Sequence, residues 1–197
     1  MEIAVIDYKG GNVQSVLFAL ERLGVQAILT ADHEIIRRAD KVLFPGEGEA
    51  ASAMRELRAQ GLDEFLPTLT QPFLGICLGM QLLGRHTEEG GGTDMLDILP
   101  FDVVRFEASP DYKVPHMGWN TLQALRSPLF NGLQQEDYVY FVHSYYAPVG
   151  DYTIAQTEYP TAPFSAAVQH RNFYAVQFHT EKSGPVGTRI LENFLKL

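Results

Sequence analysis

The sequence predicts a single α/β domain, in which a mostly parallel sheet carries helices on both faces and further strands are added in the second half. Two observations support this. Through the first half, short apolar runs alternate with helical patterns, as expected for parallel strands joined by right-handed crossovers. After about Gly90 the helical patterns give way to strand-like runs separated by Gly, Pro and Asn. A length of 197 residues agrees with one domain and can bury a core without a disulfide or metal to staple it.

The elements follow in order. Ile3 to Ile6 reads as a buried strand broken by Gly10 and Gly11. A helix is expected from Asn12, with Val13, Val16, Leu17, Leu20 and Leu23 on one face and Gly24 as its stop. Val25 to Leu29 and Val42 to Phe44 read as the next strands, the latter closed by Pro45-Gly46. A helical stretch through Met54, Leu57 and Leu62 precedes a fourth strand, Phe73 to Ile76, and a helix from Leu78. The second half supplies strand-like runs at 102–106, 138–142, 152–156, 164–168 and 173–178. A closing helix after Pro185 places Val186, Ile190, Leu191, Phe194 and Leu195 on one face.

Composition excludes several function classes. Fifteen basic against 24 acidic residues give a formal charge of −9, and no run of Lys or Arg offers a footprint for nucleic acid. One cysteine permits neither an intramolecular disulfide nor a four-cysteine zinc site. The N-terminus lacks the basic start and long apolar run of a secretory signal, and no segment approaches the ~18 apolar residues of a membrane helix. A cytoplasmic protein without membrane attachment is the expectation.

The lone cysteine, Cys77, lies in Phe73-Leu-Gly-Ile-Cys-Leu-Gly-Met-Gln-Leu-Leu-Gly84. A free cysteine is often just a small core residue. Here Gly75 and Gly79 flank it at minus two and plus two, where an apolar strand turns into a helix. That is the nucleophile-elbow arrangement with sulfur in place of oxygen. The strained turn tolerates only small neighbours, and the helix start directs free N–H groups at the sulfur, which favours the thiolate. The Leu78 N–H is placed to donate to a developing oxyanion. A second glycine turn, Phe44-Pro-Gly-Glu-Gly-Glu49, also ends a strand. It reads equally as an ordinary strand-to-helix turn or as the other half of an oxyanion hole, where one donor is worth about 3 kcal/mol of barrier.

A thiolate attacking an amide needs a group that carries a proton to the leaving amine. Of six histidines, His33 and His86 lie in polar contexts, His170 lies in a turn, and His116 is one of the remaining three. His143 and His179 each close a strand. Either fits a structural role equally well, but Glu181 stands two residues after His179, where a carboxylate can fix the imidazole tautomer. The spacing therefore favours His179 over His143.

Two of these motifs, Gly75-Ile-Cys-Leu-Gly-Met-Gln81 and Gln177-Phe-His-Thr-Glu181, make the chain resemble the triad-type (class I) glutamine amidotransferases. More narrowly, it is similar to the glutaminase subunits of imidazole glycerol phosphate synthase. That narrowing rests on Pro115-His-Met-Gly-Trp-Asn120, Tyr140-Phe-Val-His-Ser-Tyr145, Asp7-Tyr8 with Gly11-Asn12, and Glu181-Lys-Ser183. The resemblance runs from residue 1 to the C-terminus, with no synthetase domain appended.

The resemblance implies a flavodoxin-like fold and a glutaminase. Cys77 would form a glutamyl thioester and release ammonia, with His179 carrying protons, Glu181 orienting it, and water freeing glutamate. Gly46, Glu47 and Leu78 match oxyanion-hole positions. Gln81 and Glu89 match positions that hold glutamine, Glu89 through its α-amino group, and the main chain near Ser144 and Tyr145 contributes to the same site. The family's partner is a (β/α)₈-barrel cyclase, bound as a heterodimer and fed ammonia through a tunnel in histidine biosynthesis. Asn12, Trp119, Tyr140 and Lys182 match positions at or near that interface. At rest the loop Pro45–Gly48 would sit in a non-productive conformation. No cofactor and no metal is expected.

Two residues depart from the family pattern. Glu47 stands where a small apolar residue is usual, and its carboxylate is unfavourable near a developing anion unless it points to solvent. Thr180 replaces the usual proline and lacks its fixed φ, which leaves the Glu181 geometry less constrained. The rival readings are a cysteine-elbow hydrolase or peptidase of related fold and a non-catalytic glutamine-binding partner subunit.

Overall fold

The computed structural model describes residues 1–10, 13–110, 112–159 and 163–197. Its frame is a seven-stranded sheet built on β1 (Ile3–Ile6), β2 (Ala27–Thr30), β3 (Lys41–Gly46), β4 (Phe73–Cys77), β11 (Thr153–Glu158), β12 (Pro163–His170) and β13 (Phe173–Val176), in the order β11-β12-β13-β4-β3-β1-β2. The five strands from β13 to β2 pair in parallel, and β11 and β12 add antiparallel. Alternation along each strand divides the core between the two faces. Ala4 and Ile6 of β1 pack with α2 (His33–Arg38), α3 (Ala50–Ala59) and α4 (Leu62–Phe65). Ile3 and Val5 face α1 (Val13–Arg22) and α6 (Gly184–Leu195). Helices thus cover both faces, as expected.

Several boundaries differ from the sequence reading. Strand β2 begins at Ala27, because Val25 is spent on the turn that closes α1, its N–H bonding Leu20 O at 3.0 Å. The helix from Leu78 is a single turn, α5 (Leu78–Gln81). A side chain at Gly84 would run into the Phe101 ring, and the chain there leaves for a small sheet. That sheet holds β5 (His86–Thr87), β6 (Thr93–Asp94), β7 (Asp102–Arg105) and β10 (Tyr145–Tyr146) in the order β10-β7-β5-β6. Pro115–Asn120, read only as a motif, lies mostly in a strand, β8 (His116–Thr121), paired antiparallel with β9 (Tyr138–His143). Helix α2 is capped by Asp32, whose carboxylate accepts from Glu34 N and Ile35 N. Among the described residues, no helix is long and apolar enough to cross a membrane.

The parallel strands bring their carboxyl ends to one edge, where sites collect in such sheets. Gly46 pairs directly with Cys77 across β3 and β4, so the glycine turn and the cysteine turn leave the sheet side by side. Strand β13 leads through Gln177 and Phe178 to His179. The β8–β9 ribbon closes over this edge: Tyr140 O accepts His179 N at 3.0 Å, and Tyr140 N donates to Ser183 Oγ at 3.0 Å.

Candidate active site

Cys77 adopts φ 55° and ψ −112°, a left-handed conformation that costs a side chain on the order of 1–3 kcal/mol and persists only where packing imposes it. The flanking glycines supply that packing. A β-carbon at Gly79 would fall on the Phe44 carbonyl, and one at Gly75 would sit 2.8 Å from Gly79 O. The elbow needs both glycines for steric reasons, as its spacing suggested. The thiol is 7% exposed, yet it lines an open cleft of about 810 Å³ together with Glu47, Gly48, Leu78, Gln81, Glu89, Ser144, Tyr145 and His179.

His179 is buried behind that thiol. Its Nδ1 lies 2.7 Å from Glu181 Oε1, and both side chains are only 2% exposed. Among the described residues its Nε2 has no hydrogen-bond partner, and Cys77 is the group on that side whose charge acts on the ring. Burial alone would lower the imidazole pKa, but hydrogen bonds and charge from Cys77 and Glu181 outweigh it and lift the value to about 10. Cys77, His179 and Glu181 therefore lie together at the carboxyl edge of the sheet.

Residues Thr180–Lys182 form a 3-10 turn that brings Glu181 back to His179, and Ser183 Oγ donates to His179 O at 2.6 Å.

Glu47 does not simply turn to solvent. Its Oε1 accepts from Lys182 Nζ at 2.9 Å and lies 3.8 Å from His179 Nδ1. Partial burial works against the Lys182 charge, but Glu47 holds its pKa above the ordinary lysine range. Glu47, His179 and Glu181 place donor atoms within 4.8 Å of one another, a set able to chelate a divalent ion. Lys182 and the His179–Glu181 bond already engage these atoms, so the cluster reads as a charge network. Beneath the loop, the buried Tyr8 hydroxyl has no hydrogen-bond partner among the described residues and lies where a Gly46 side chain would begin. Burial and the negative charges of Cys77 and Glu47 push its pKa above the usual tyrosine range.

Of the other expected site residues, Leu78, Gln81, Glu89, Ser144 and Tyr145 line the same cleft, several already engaged, whereas Gly46 lines a small pocket behind it with Glu47, His179 and Glu181. Gln81 Nε2 donates to Tyr145 O at 2.9 Å and Gln177 Oε1 at 3.0 Å. Glu89 Oε2 accepts Ala50 N at 2.8 Å, capping α3 just past the glycine turn. Trp119 is 55% exposed and faces Tyr140 across the ribbon, with ring centroids 6.0 Å apart. Lys182 joins them at the cleft rim. Asn12 lies outside the described residues.

His143, the less favoured of the two histidines, lines the cleft with both ring nitrogens engaged. Its Nδ1 bonds Tyr145 O at 2.8 Å and its Nε2 meets His116 Nδ1 at 3.1 Å. Burial drives its pKa down to about 3, and burial likewise lowers His116 to about 4. Gln177, part of the closing motif, is fully buried against Cys77, its Nε2 3.9 Å from Cys77 Sγ. No local pattern marks it, since the contact spans 100 positions.

Comparison with known proteins agrees with this geometry. The class-I glutamine amidotransferase family model matches residues 4–197. "Imidazole glycerol phosphate synthase subunit HisH" of Bacteroides thetaiotaomicron is 56% identical over 198 residues, covering 100% of both chains. Among solved structures, a glutamine amidotransferase superposes with TM-score 0.75 at 18% identity, over 98% of this chain and 97% of that one. PurLQS from Thermotoga maritima gives 0.71 at 16% identity, over 99% and 97%. Those two likenesses speak for the fold alone. The chain belongs to the class-I glutamine amidotransferase family, in its HisH group.

Proposed function

We propose that the whole chain acts as one glutaminase unit, releasing ammonia from glutamine for a partner subunit of imidazole glycerol phosphate synthase in histidine biosynthesis. The observation that carries this reading is the buried His179, tied to Glu181 on one nitrogen and turned to the Cys77 thiol on the other. Cys77 sulfur attacks the side-chain amide carbon of glutamine. The carbonyl oxygen gathers charge opposite the N–H groups of Leu78 and of the Gly46–Glu47 turn. His179 gives a proton to the departing nitrogen, which leaves as ammonia, and the glutamyl group remains on sulfur as a thioester. Water then adds, His179 takes its proton, and glutamate leaves with the thiolate restored. Glu181 holds the imidazole tautomer throughout. Gln81, Glu89 and the main chain of Ser144 and Tyr145 hold the substrate, Glu89 through its second carboxylate oxygen.

The partner is a (β/α)₈-barrel cyclase bound as a heterodimer, with ammonia passing between the subunits. The exposed Trp119, the adjacent Tyr140 and Lys182 at the cleft rim support that placement, and Asn12 is proposed beside them. The Lys182–Glu47 pair supports a resting turn in a non-productive conformation. A cytoplasmic location belongs to the same reading.

The test is glutamate release from glutamine, with and without a cyclase and its ribotide ligand, for wild type and Cys77→Ala. Strong stimulation that vanishes in the variant is expected. Turnover surviving in Cys77→Ala, or peptide cleavage without glutamine turnover, overturns the reading.

A further inference from the structure

We propose that Gln177 is a catalytic residue whose side-chain amide N–H is held on the Cys77 sulfur by a hydrogen-bond relay of fixed direction and stabilises the thiolate. This rests on Cys77 being the nucleophile of the glutaminase reaction. The relay starts on the outer ribbon. Asn120 Oδ1 accepts Thr121 N at 2.8 Å, so its amide nitrogen is the atom facing His116 Nε2 at 3.3 Å and Glu158 O at 3.1 Å. His116 Nε2 must then accept, and the ring's proton sits on Nδ1. That proton points to His143 Nε2 at 3.1 Å, leaving His143 protonated on Nδ1, which donates to Tyr145 O at 2.8 Å.

The same carbonyl fixes the other arm. Only an N–H can face it favourably, so the Gln81 end at 2.9 Å is its nitrogen. The second Gln81 N–H meets Gln177 Oε1 at 3.0 Å. With Gln177 Oε1 engaged, its nitrogen faces Cys77 Sγ at 3.9 Å. Turning the Gln177 amide over would set two NH₂ groups against each other in a fully buried position, at the cost of an unpaired polar group. The Gln81–Gln177 arm contains no titratable group and ends on a carbonyl that only accepts, so it keeps its direction across the working pH range.

The sulfur has a second neighbour that sorts its protonation states. Val142 O lies 4.0 Å away and suits only an S–H donor. When the proton leaves for His179, that contact turns repulsive and the Gln177 N–H contact becomes charge-assisted and stronger. The amide is thus in place before the charge develops.

The test follows alkylation of Cys77 by iodoacetamide across pH, a reaction that needs no glutamine. Variants are Gln177→Met and Gln81→Met, each checked for thermal unfolding. In Gln177→Met the rate at neutral pH should fall by about tenfold, with the pH profile displaced upward. Gln81→Met, which frees the Gln177 amide to rotate, should show the same displacement at about threefold. Folded variants that alkylate with the wild-type profile overturn the proposal. Should Gln177→Met not fold, Gln81→Met decides alone by the same criterion. A Gln177-dependent profile in a protein that never releases glutamate would overturn the glutaminase reading and leave the amide–sulfur contact standing.

Discussion

His143 and His179 follow strands of similar apolar composition, are almost equally buried, and line one cleft, yet their protonation is driven in opposite directions. His179 faces a carboxylate and a thiol and is lifted to about 10, while His143 faces a carbonyl and a neutral imidazole and falls to about 3. Burial disfavours charge on both, so partners decide the outcome. On the proposed reading one ring holds a proton beside Cys77, while the other holds the Tyr145 carbonyl in place.

The sharpest way to break that comparison is to remove each ring. His179→Asn should lower glutamate release by at least ~10³-fold, whereas His143→Gln should stay within about tenfold because it disturbs only positioning. Equal losses would erase the distinction. Glu181→Gln keeps the shape but removes the charge that raises His179, and about 10²-fold loss of turnover is expected, read from steady-state kinetics.

Stability against pH sharpens the contrast. A folded-state imidazole pKa below the unfolded ~6.5 stabilises above that pH and loses its contribution as pH falls. His116 and His143 should therefore cost roughly 1.4 kcal/mol per pH unit each between about 6.5 and their folded values near 4 and 3. His179 has the opposite sign: its contribution is present below ~6.5 and fades as pH rises toward 10. Urea unfolding across pH 4 to 10 checks both arms, and replacing His143 with Gln should remove about half of the acidic slope while leaving the alkaline one.

The smallest effects belong to the rim. Glu47→Ala removes the carboxylate that ties the glycine turn to Lys182, and a change of about threefold in partner-free turnover is expected. Trp119→Ala should weaken binding or coupling to a cyclase by about 1–2 kcal/mol in titration without changing the melting temperature. An unchanged titration would make Trp119 a surface residue without a partner.

How much of this was legible in the sequence depended on whether the constraint was local. Gly75 and Gly79 marked the elbow because a β-carbon at Gly79 has nowhere to go. Glu181 singled out His179 because two residues along a turn are enough for a 2.7 Å bond. The Pro115–Asn120 segment was visible as a motif but not as a strand, since its pairing with β9 fixes its conformation. Glu47 was read as a charge needing solvent because Lys182, its partner, lies 135 positions away. Gln177 and Tyr8 were missed for the same reason: their meaning lies in contacts with Cys77, Gln81 and Gly46 that only folding creates.

Covalent acylation of Cys77 by glutamine, with His179 controlling release, leaves a direct chemical trace. Wild type and Cys77→Ala should be mixed with isotopically labelled glutamine, quenched in acid during turnover, and mapped by peptide mass spectrometry. A labelled glutamyl group is expected on the Cys77 peptide of the wild type and none in the variant. Labelled glutamate formed at the wild-type rate by Cys77→Ala would contradict it.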